Sequence, residues 1–318
     1  MTGASWRRPP AYEGAWLAAM PAVFVLIWST GFVVARYGMP HAGPMWFLAW
    51  RYVLSIGAFL VWIAIVRAAW PRGRAQWLHL AVTGVLMHAL YLGGIWGAVR
   101  SGIGAGTSAL VVGLQPVLTA IWVSAVQGNE HRVAPRQWFG LALGLAGLTL
   151  VVWRKLGAGE VTAFNLVLCL MALLAITTGT LYQKRFVEPC DVRTANTVQL
   201  LAALLVTAPL AWLEDAPFAW HPELIGAMAW SVLGLTLGGS SLLFLLIQRG
   251  AATRVTSLLY LVPPCTALMA WLLFDEALGA LVLAGLALTA SGVWLVVRSP
   301  GPGLGGAGRA REVSSRRL

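Results

Sequence analysis

The chain has 318 residues, of which 59% are hydrophobic and only 10% charged, with a mean hydropathy of +0.77. A soluble domain carries about 25% charged residues, so this composition excludes a water-exposed globular fold and leaves lipid as the solvent. The formal net charge of +11 does not point to nucleic acid, because the Lys and Arg residues lie between apolar runs rather than on one patch.

A helix needs about 20 apolar residues to cross the hydrocarbon, and only helices or closed barrels satisfy their backbone there. The runs here are too long and continuous for the roughly 10-residue alternation of barrel strands. An all-α integral membrane protein with ten transmembrane helices is therefore expected, at about 15–36, 45–66, 76–98, 104–126, 137–153, 163–183, 195–213, 223–247, 253–274 and 278–297. The first run follows Arg7 and Arg8 but ends without a small-residue cleavage site, so it reads as a retained span rather than a signal peptide. The tails, 1–14 and 299–318, are rich in Arg, Pro, Gly and Ser and are expected to be disordered.

Span 1 ends in IWSTGFVVARYG (27–38), where Ser29, Thr30 and Gly31 interrupt the apolar run. Span 2 carries Arg51, seven residues beyond Pro44, and span 3 carries His79 and His88. In span 4, Ser108, Val112, Gln115 and Thr119 fall on one helical stripe, and Pro116 frees the carbonyl of Val112. Span 5 carries Gly140, Gly144 and Gly147. Span 6 closes on AITTGTLYQKRF (175–186), with the layout of span 1.

That likeness extends along the chain. Residues 29–37 fall on 177–185 at an offset of 148, Arg51 falls on Gln199, and 108–130 resembles 256–276 with small gaps. The spans closing each half, 140–154 and 283–298, also match, so 15–154 and 163–298 read as two five-helix repeats. Five is odd, so the second repeat must enter the membrane from the opposite side, the inverted arrangement of secondary transporters. With a cytoplasmic N-terminus, seventeen of the 22 Lys and Arg residues lie inside against four outside. The positive-inside rule then places both termini in the cytoplasm of a cell-membrane protein. Glu130 lies inside and Asp275–Glu276 outside in that arrangement.

The chain resembles the EamA family of the drug/metabolite transporter superfamily. The resemblance rests on WSTGFVVARY in span 1, Pro44 with FLAWRY (47–52), the proline, acidic residue and Gly-rich helix closing each half, and RGAATRVTSLLYLVPPCTALMAWLLFDEALG (249–279). It covers roughly residues 15 to 298. GNE at 128–130 departs from the pattern by one residue. The resemblance implies export of amino acids, metabolites or drugs, import in some members, and packing or homodimer contacts for the helix closing each half. Gly140, Gly144, Gly147, Gly285 and Gly292 suit either close packing or lipid-facing contacts.

Polar groups inside spans are costly in lipid and usually face the interior. Ser29, Thr30, Thr177 and Thr178 are candidate cavity residues, and Gly31 with Gly179 would let spans 1 and 6 cross closely. Ser108 and Gln115 in span 4 and Thr256 and Tyr260 in span 9 are further candidates for lining the cavity, with Pro116, Pro263 and Pro264 as candidate helix breaks. Arg51 could snorkel, hydrogen-bond within the helix pack or anchor an anion, with Gln199 at the matching place. Trp28, Trp50, Tyr91, Tyr182, Trp96 and Trp122 could form an aromatic lining, though single Trp residues at span ends also suit interfacial belts. The histidines read as packed or hydrogen-bonded groups. No Asp or Glu falls mid-span, so an obvious proton-coupling carboxylate is missing. Cys169, Cys190 and Cys265 lack metal or redox spacing. No cofactor, metal or enzyme motif stands out, and no Walker A motif supports ATP-driven transport. A secondary transporter of a small molecule, working in the lipid bilayer, follows as the expected function.

Overall fold

A computed structural model describes residues 11–126, 135–157, 159–216, 218–248 and 261–298. Thr256, Tyr260, Glu130 and the tails 1–10 and 299–318 lie outside the described residues.

Every regular element among the described residues is helical. In chain order they are α1 (Ala11–Gly38), α2 (Pro44–Val66), α3 (Arg74–Arg100), α4 (Ala105–Val112), α5 (Gln115–Val126), α6 (Pro135–Gly157), α7 (Ala163–Phe186), α8 (Val192–Trp212), α9 (222–248), α10 (Val262–Phe274) and α11 (Ala280–Arg298). Among the described residues, six helices are long and apolar enough to cross a membrane: Pro44–Val66, Arg74–Arg100, Trp138–Leu156, Ala163–Phe186, Val192–Trp212 and Pro222–Leu246. Ala22–Gly38, Ala105–Thr119, Val262–Phe274 and Ala280–Gly292 are shorter apolar helices. The first helix begins at Ala11, so 11–14 belong to it rather than to a tail.

Local chemistry sets the ends. Pro44 starts α2, where its missing N–H costs nothing, and Arg67 ends it in the left-handed conformation at φ 51°. Thr162 caps α7 reciprocally: its hydroxyl accepts from Asn165 N at 3.2 Å while its own N donates to Asn165 Oδ1 at 2.9 Å. The Asp191 carboxylate accepts from Arg193 N at 2.9 Å and caps α8.

Span 4 is broken. The Pro116 ring removes the donor that would bond Val112 O, so α4 stops at Val112 and α5 restarts at Gln115. The break is filled from the other half of the chain: a Cβ on Gly113 would lie 2.6 Å from Pro263 Cγ.

Helices α3 and α9 share a rarer device. Each contains a π-helical stretch, Val85–Leu90 in α3 and Ser231–Ser240 in α9. Adding 148 to 85–90 lands on 233–238, inside the second stretch. The widened turn leaves carbonyls to side chains five residues on: Thr236 Oγ1 donates to Ser231 O at 2.9 Å. Such π segments occur often at functional sites.

Packing follows the same symmetry. The main helix pairs include α6 with α11, α2 with α8, α4 with α10, α1 with α9 and α3 with α7, and α3 also packs on α8 as α9 does, less extensively, on α2. Exchanging each helix for its repeat mate returns the same set. Glycines make the closest approaches. A Cβ on Gly147 would lie 2.5 Å from Gly285 O, and one on Gly292 would lie 2.5 Å from Gly144 N, so the glycines of α6 and α11 pack the two closing helices together within one chain. Gly31 and Gly179 do not bring spans 1 and 6 together as expected. Gly31 lies under Leu235 of α9 and Gly179 under Met87 of α3, at 3.6 Å and 2.6 Å from a built Cβ. The reason is the exchange of partners: each of these helices packs on the π-containing helix of the opposite half.

Candidate functional site

Five buried polar residues, Arg51, His88, Gln183, Asn196 and Gln199, meet where α1, α2, α3, α7, α8 and α9 come together. A cavity there of about 50 Å³ is bounded by Trp28 and Phe32 of α1, Arg51 of α2, His88, Tyr91 and Trp96 of α3, Gln183 of α7, Asn196 and Gln199 of α8, and Ser240, Leu243 and Phe244 of α9. Sites for small molecules usually enclose about 300–1,000 Å³, so this conformation is constricted and the helices must part to admit cargo.

Arg51 is the only ionisable cation among these lining residues apart from His88, and it is only 3% exposed. Its Nε donates to Thr236 Oγ1 at 3.0 Å, and Thr236 passes the bond to the Ser231 carbonyl of the π segment. No carboxylate lies in ion-pair contact with Arg51 among the described residues. Burying a guanidinium without a counter-charge is costly, and Arg51 bears that cost in the wall of the cavity. Gln199 lines the same cavity and is equally buried, and its Nε2 has no hydrogen-bond partner among the described residues.

These polar groups are related by the repeat. Adding 148 carries Arg51 to Gln199 and His88 to Thr236. It also carries Met87 to Leu235, Leu92 to Ser240, Ile95 to Leu243 and Trp96 to Phe244, every one of which lines the cavity. The cavity therefore straddles the relation between the halves. The sequence breaks that symmetry where chemistry matters, placing a cation opposite an amide.

Aromatic rings form the walls. Trp28 stacks on Tyr91 at 6.4 Å between centroids, with planes 4° apart, and Trp96 stacks on Phe47 at 4.2 Å. Tyr52 Oη donates to His88 O at 2.7 Å and fixes the π segment against α2.

Of the residues expected to line a cavity, the structure brings Trp28, Arg51, Tyr91, Trp96 and Gln199 together here. The others among the described residues lie elsewhere. Ser29 Oγ donates to Val25 O at 2.7 Å and its mate Thr177 to Leu173 O at 2.6 Å, one turn back in each helix. Thr30 donates to Ile27 O and Thr178 to Ala175 O, at 2.6 and 3.2 Å, and Thr30 Oγ1 also accepts from Trp230 Nε1 at 2.7 Å. Ser108 bonds Gly104 O at 3.1 Å, and Gln115 Nε2 donates to Thr180 Oγ1 at 3.2 Å, tying the broken span to α7. Tyr182 Oη meets His79 Nδ1 at 2.8 Å. Trp50 is 39% exposed, with its ring edge-on to Trp220. Pro116 and Pro263 are buried and Pro264 half-buried at the helix breaks.

Sequence reasoning passed over Gln183, Asn196, Thr236 and Ser240. The repeat offset could have found Thr236 as the mate of His88, and Asn196 lies three residues before Gln199 on the same helical face.

At one end of the bundle, carboxylates of the second half cap helices of the first. Glu214 Oε2 accepts from Met45 N and Trp46 N at 3.0 and 3.1 Å, at the start of α2. Glu276 Oε1 accepts from Ala105 N at 2.9 Å, at the start of α4, and its other oxygen lies 3.9 Å from Lys155 Nζ.

The model of the EamA-like transporter family matches the sequence twice, over residues 14–153 and 163–298. A Bacillus subtilis protein named as an uncharacterized transporter, YvbV, is 24% identical, over 88% of this chain and 90% of its own. The Escherichia coli K12 inner membrane transporter YedA, also named as uncharacterized, is 25% identical over 86% of this chain and 89% of its own. An E. coli K12 protein named a probable amino-acid metabolite efflux pump is 24% identical over 86% and 92%. A solved crystal structure superposes with a TM-score of 0.63 over 87% of this chain and 95% of that one, at 18% identity, a likeness of fold.

Proposed function

This chain belongs to the EamA-like transporter family and is a multi-pass membrane transporter; from that premise we propose that it is a secondary transporter exporting amino acids or similar small metabolites by alternating access. The observation that carries the reading is the cavity shared by the repeat mates Arg51 and Gln199. An unpaired buried guanidinium facing a void calls for an anionic group on the cargo, and the carboxylate of an amino acid supplies one. The stacked Trp28 and Tyr91 and the rings of Trp96 and Phe244 offer apolar area for the rest of the molecule. The name of the E. coli efflux pump relative supports the same cargo class and direction.

In this reading ten spans form two inverted five-helix repeats, 15–154 and 163–298, with both termini cytoplasmic. The two halves rock about the cavity, and the break between α4 and α5, where Pro263 packs on Gly113, offers a place for the helices to flex. The small cavity volume corresponds to a state between inward and outward opening.

Counterflow of labelled amino acids in proteoliposomes tests the proposal. Uptake that depends on preloaded amino acid, and is lost in Arg51→Ala, supports it. No movement of any amino acid or related carboxylate, with Arg51→Ala indistinguishable from the parent, sinks it. The alternative is an importer or exchanger of another small solute, and sidedness measured in the same vesicles separates the two.

A further inference from the structure

Away from the cavity, three metal-ligating side chains meet on the end of the bundle where Glu214 caps α2. His41 lies in the link between α1 and α2, His221 immediately precedes α9, and Glu223 lies in the first turn of α9. Ala219 N donates to His41 O at 2.9 Å, so the link is anchored on the segment that carries the other two. His41 Nε2 lies 2.8 Å from Glu223 Oε2, and His221 Nδ1 lies 3.9 Å from the same oxygen. The imidazole rings stack at 4.2 Å with planes 9° apart, and one donor atom from each of the three residues falls within 4.8 Å of the others.

A hydrogen-bonded surface pair would explain His41 and Glu223 alone. The third, His221, caps α9 by accepting from Glu223 N at a long 3.4 Å, and its Nδ1 also lies 3.9 Å from the same carboxylate oxygen. We propose that His41, His221 and Glu223 form a binding site for a borderline transition-metal cation, with zinc as its representative. Two imidazoles and one carboxylate are the donor set such ions prefer, whereas magnesium and calcium favour oxygen alone. Zinc takes these ligands at about 2.0–2.2 Å, which sets tetrahedral donor atoms about 3.4 Å apart. Two of the three separations, 2.8 and 3.9 Å, bracket that value and all three fall within 4.8 Å, so the donors converge once the two imidazoles turn out of their near-parallel stack. A fourth position remains for water.

The ligands come from both halves of the chain. His41 belongs to the first and the other two to the second, and the helices they join, α1 and α9, both wall the cavity. A bound ion clamps these helix ends together and favours the arrangement seen here. Metal binding itself does not depend on the proposed cargo or direction of transport, so its test stands apart from theirs.

The experiment is calorimetric titration of zinc into the full chain, purified in detergent without a histidine tag and at neutral pH, with unfolding temperature as a second reading. Saturable binding of one ion per chain in the micromolar range is expected, together with a higher unfolding temperature. His41→Ala and His221→Ala should each lose at least the roughly tenfold in affinity that even an outer-shell partner costs, and magnesium should not compete. Glu223→Gln, which keeps the side-chain shape, should weaken binding as well. All three side chains are partly or well exposed, so matching unfolding temperatures without metal will establish that the variants are folded. Absence of saturable binding, or affinity unchanged in both histidine variants, overturns the proposal.

Discussion

Arg51 Nε donates to Thr236 Oγ1 at 3.0 Å, and the repeat relation turns this pair into Gln199 and His88, which line the same cavity. One hydroxyl thus aims the only guanidinium among the lining residues, and it does so from a π-helical turn whose carbonyl it also bonds. A hydrogen bond to a charged group contributes about 1.5–3 kcal/mol. Thr236→Val should therefore weaken cargo binding, by roughly tenfold or more if that energy orients Arg51 in the bound state. Ligand-induced shifts in unfolding temperature across a panel of small carboxylates would check it. Equal shifts in parent and variant would mean that Thr236 does not position the guanidinium.

Arg51→Leu should separate stability from function. Replacing an uncompensated buried charge by an apolar side chain of similar length is often neutral or stabilising. The variant should unfold in detergent at the same temperature as the parent or higher, while losing counterflow. A markedly lower unfolding temperature would assign Arg51 to the helix pack instead.

Gly84 and Gly57 offer a contrast. A Cβ on Gly84 would overlap the backbone oxygen of Gln199 and lie 2.6 Å from its Cα, whereas one on Gly57 meets nothing within 4 Å. Gly84→Ala should cost about 1–3 kcal/mol through overpacking and displace Gln199 from the cavity. Gly57→Ala should be neutral or stabilising by up to about 1 kcal/mol through helix propensity. Thermal unfolding of the two proteins side by side decides the matter.

Glu276→Ala removes the acceptor for Ala105 N and the carboxylate near Lys155. A lost helix cap costs about 0.5–2 kcal/mol, and Glu276→Gln, which keeps the acceptor, should recover most of it. If glutamine is as damaging as alanine, the ion pair with Lys155 matters more than the cap.

The proposed orientation can be read from cysteine labelling. In a background with Cys169, Cys190 and Cys265 replaced, Ser101→Cys should react with an impermeant maleimide on intact cells. Arg72→Cys should react only after permeabilisation. The reverse pattern would invert the topology. Both positions are exposed between helices, so burial does not confound the comparison.

Much of the fold was legible because lipid leaves a chain few options: long apolar runs must be helices, and their order can be read directly. The repeat was legible because Ser29–Thr30–Gly31 and Thr177–Thr178–Gly179 occupy matching places, as do Arg51 and Gln199. The use of those residues was not. The hydroxyls of Ser29 and Thr177 turn back to carbonyls of their own helices, and a sequence does not say which of two satisfied states a hydroxyl takes. The glycines were read as a contact between spans 1 and 6, yet each packs on the π-containing helix of the opposite half. A small-residue stripe marks a close approach without naming the partner.

Composition, apolar run length and the internal offset determined by themselves that this is a helical membrane protein built from two related halves. They do so because the cost of unpaired backbone in lipid acts on each segment separately. Only the tertiary structure decided which polar groups share a cavity. The placing of Arg51 on Thr236 and of His41 beside Glu223 depends on contacts between residues 185 and 182 positions apart, and Gln199 joins Arg51 in one cavity only once the two halves have packed. Such contacts arise from how whole helices pack, and no local pattern encodes them.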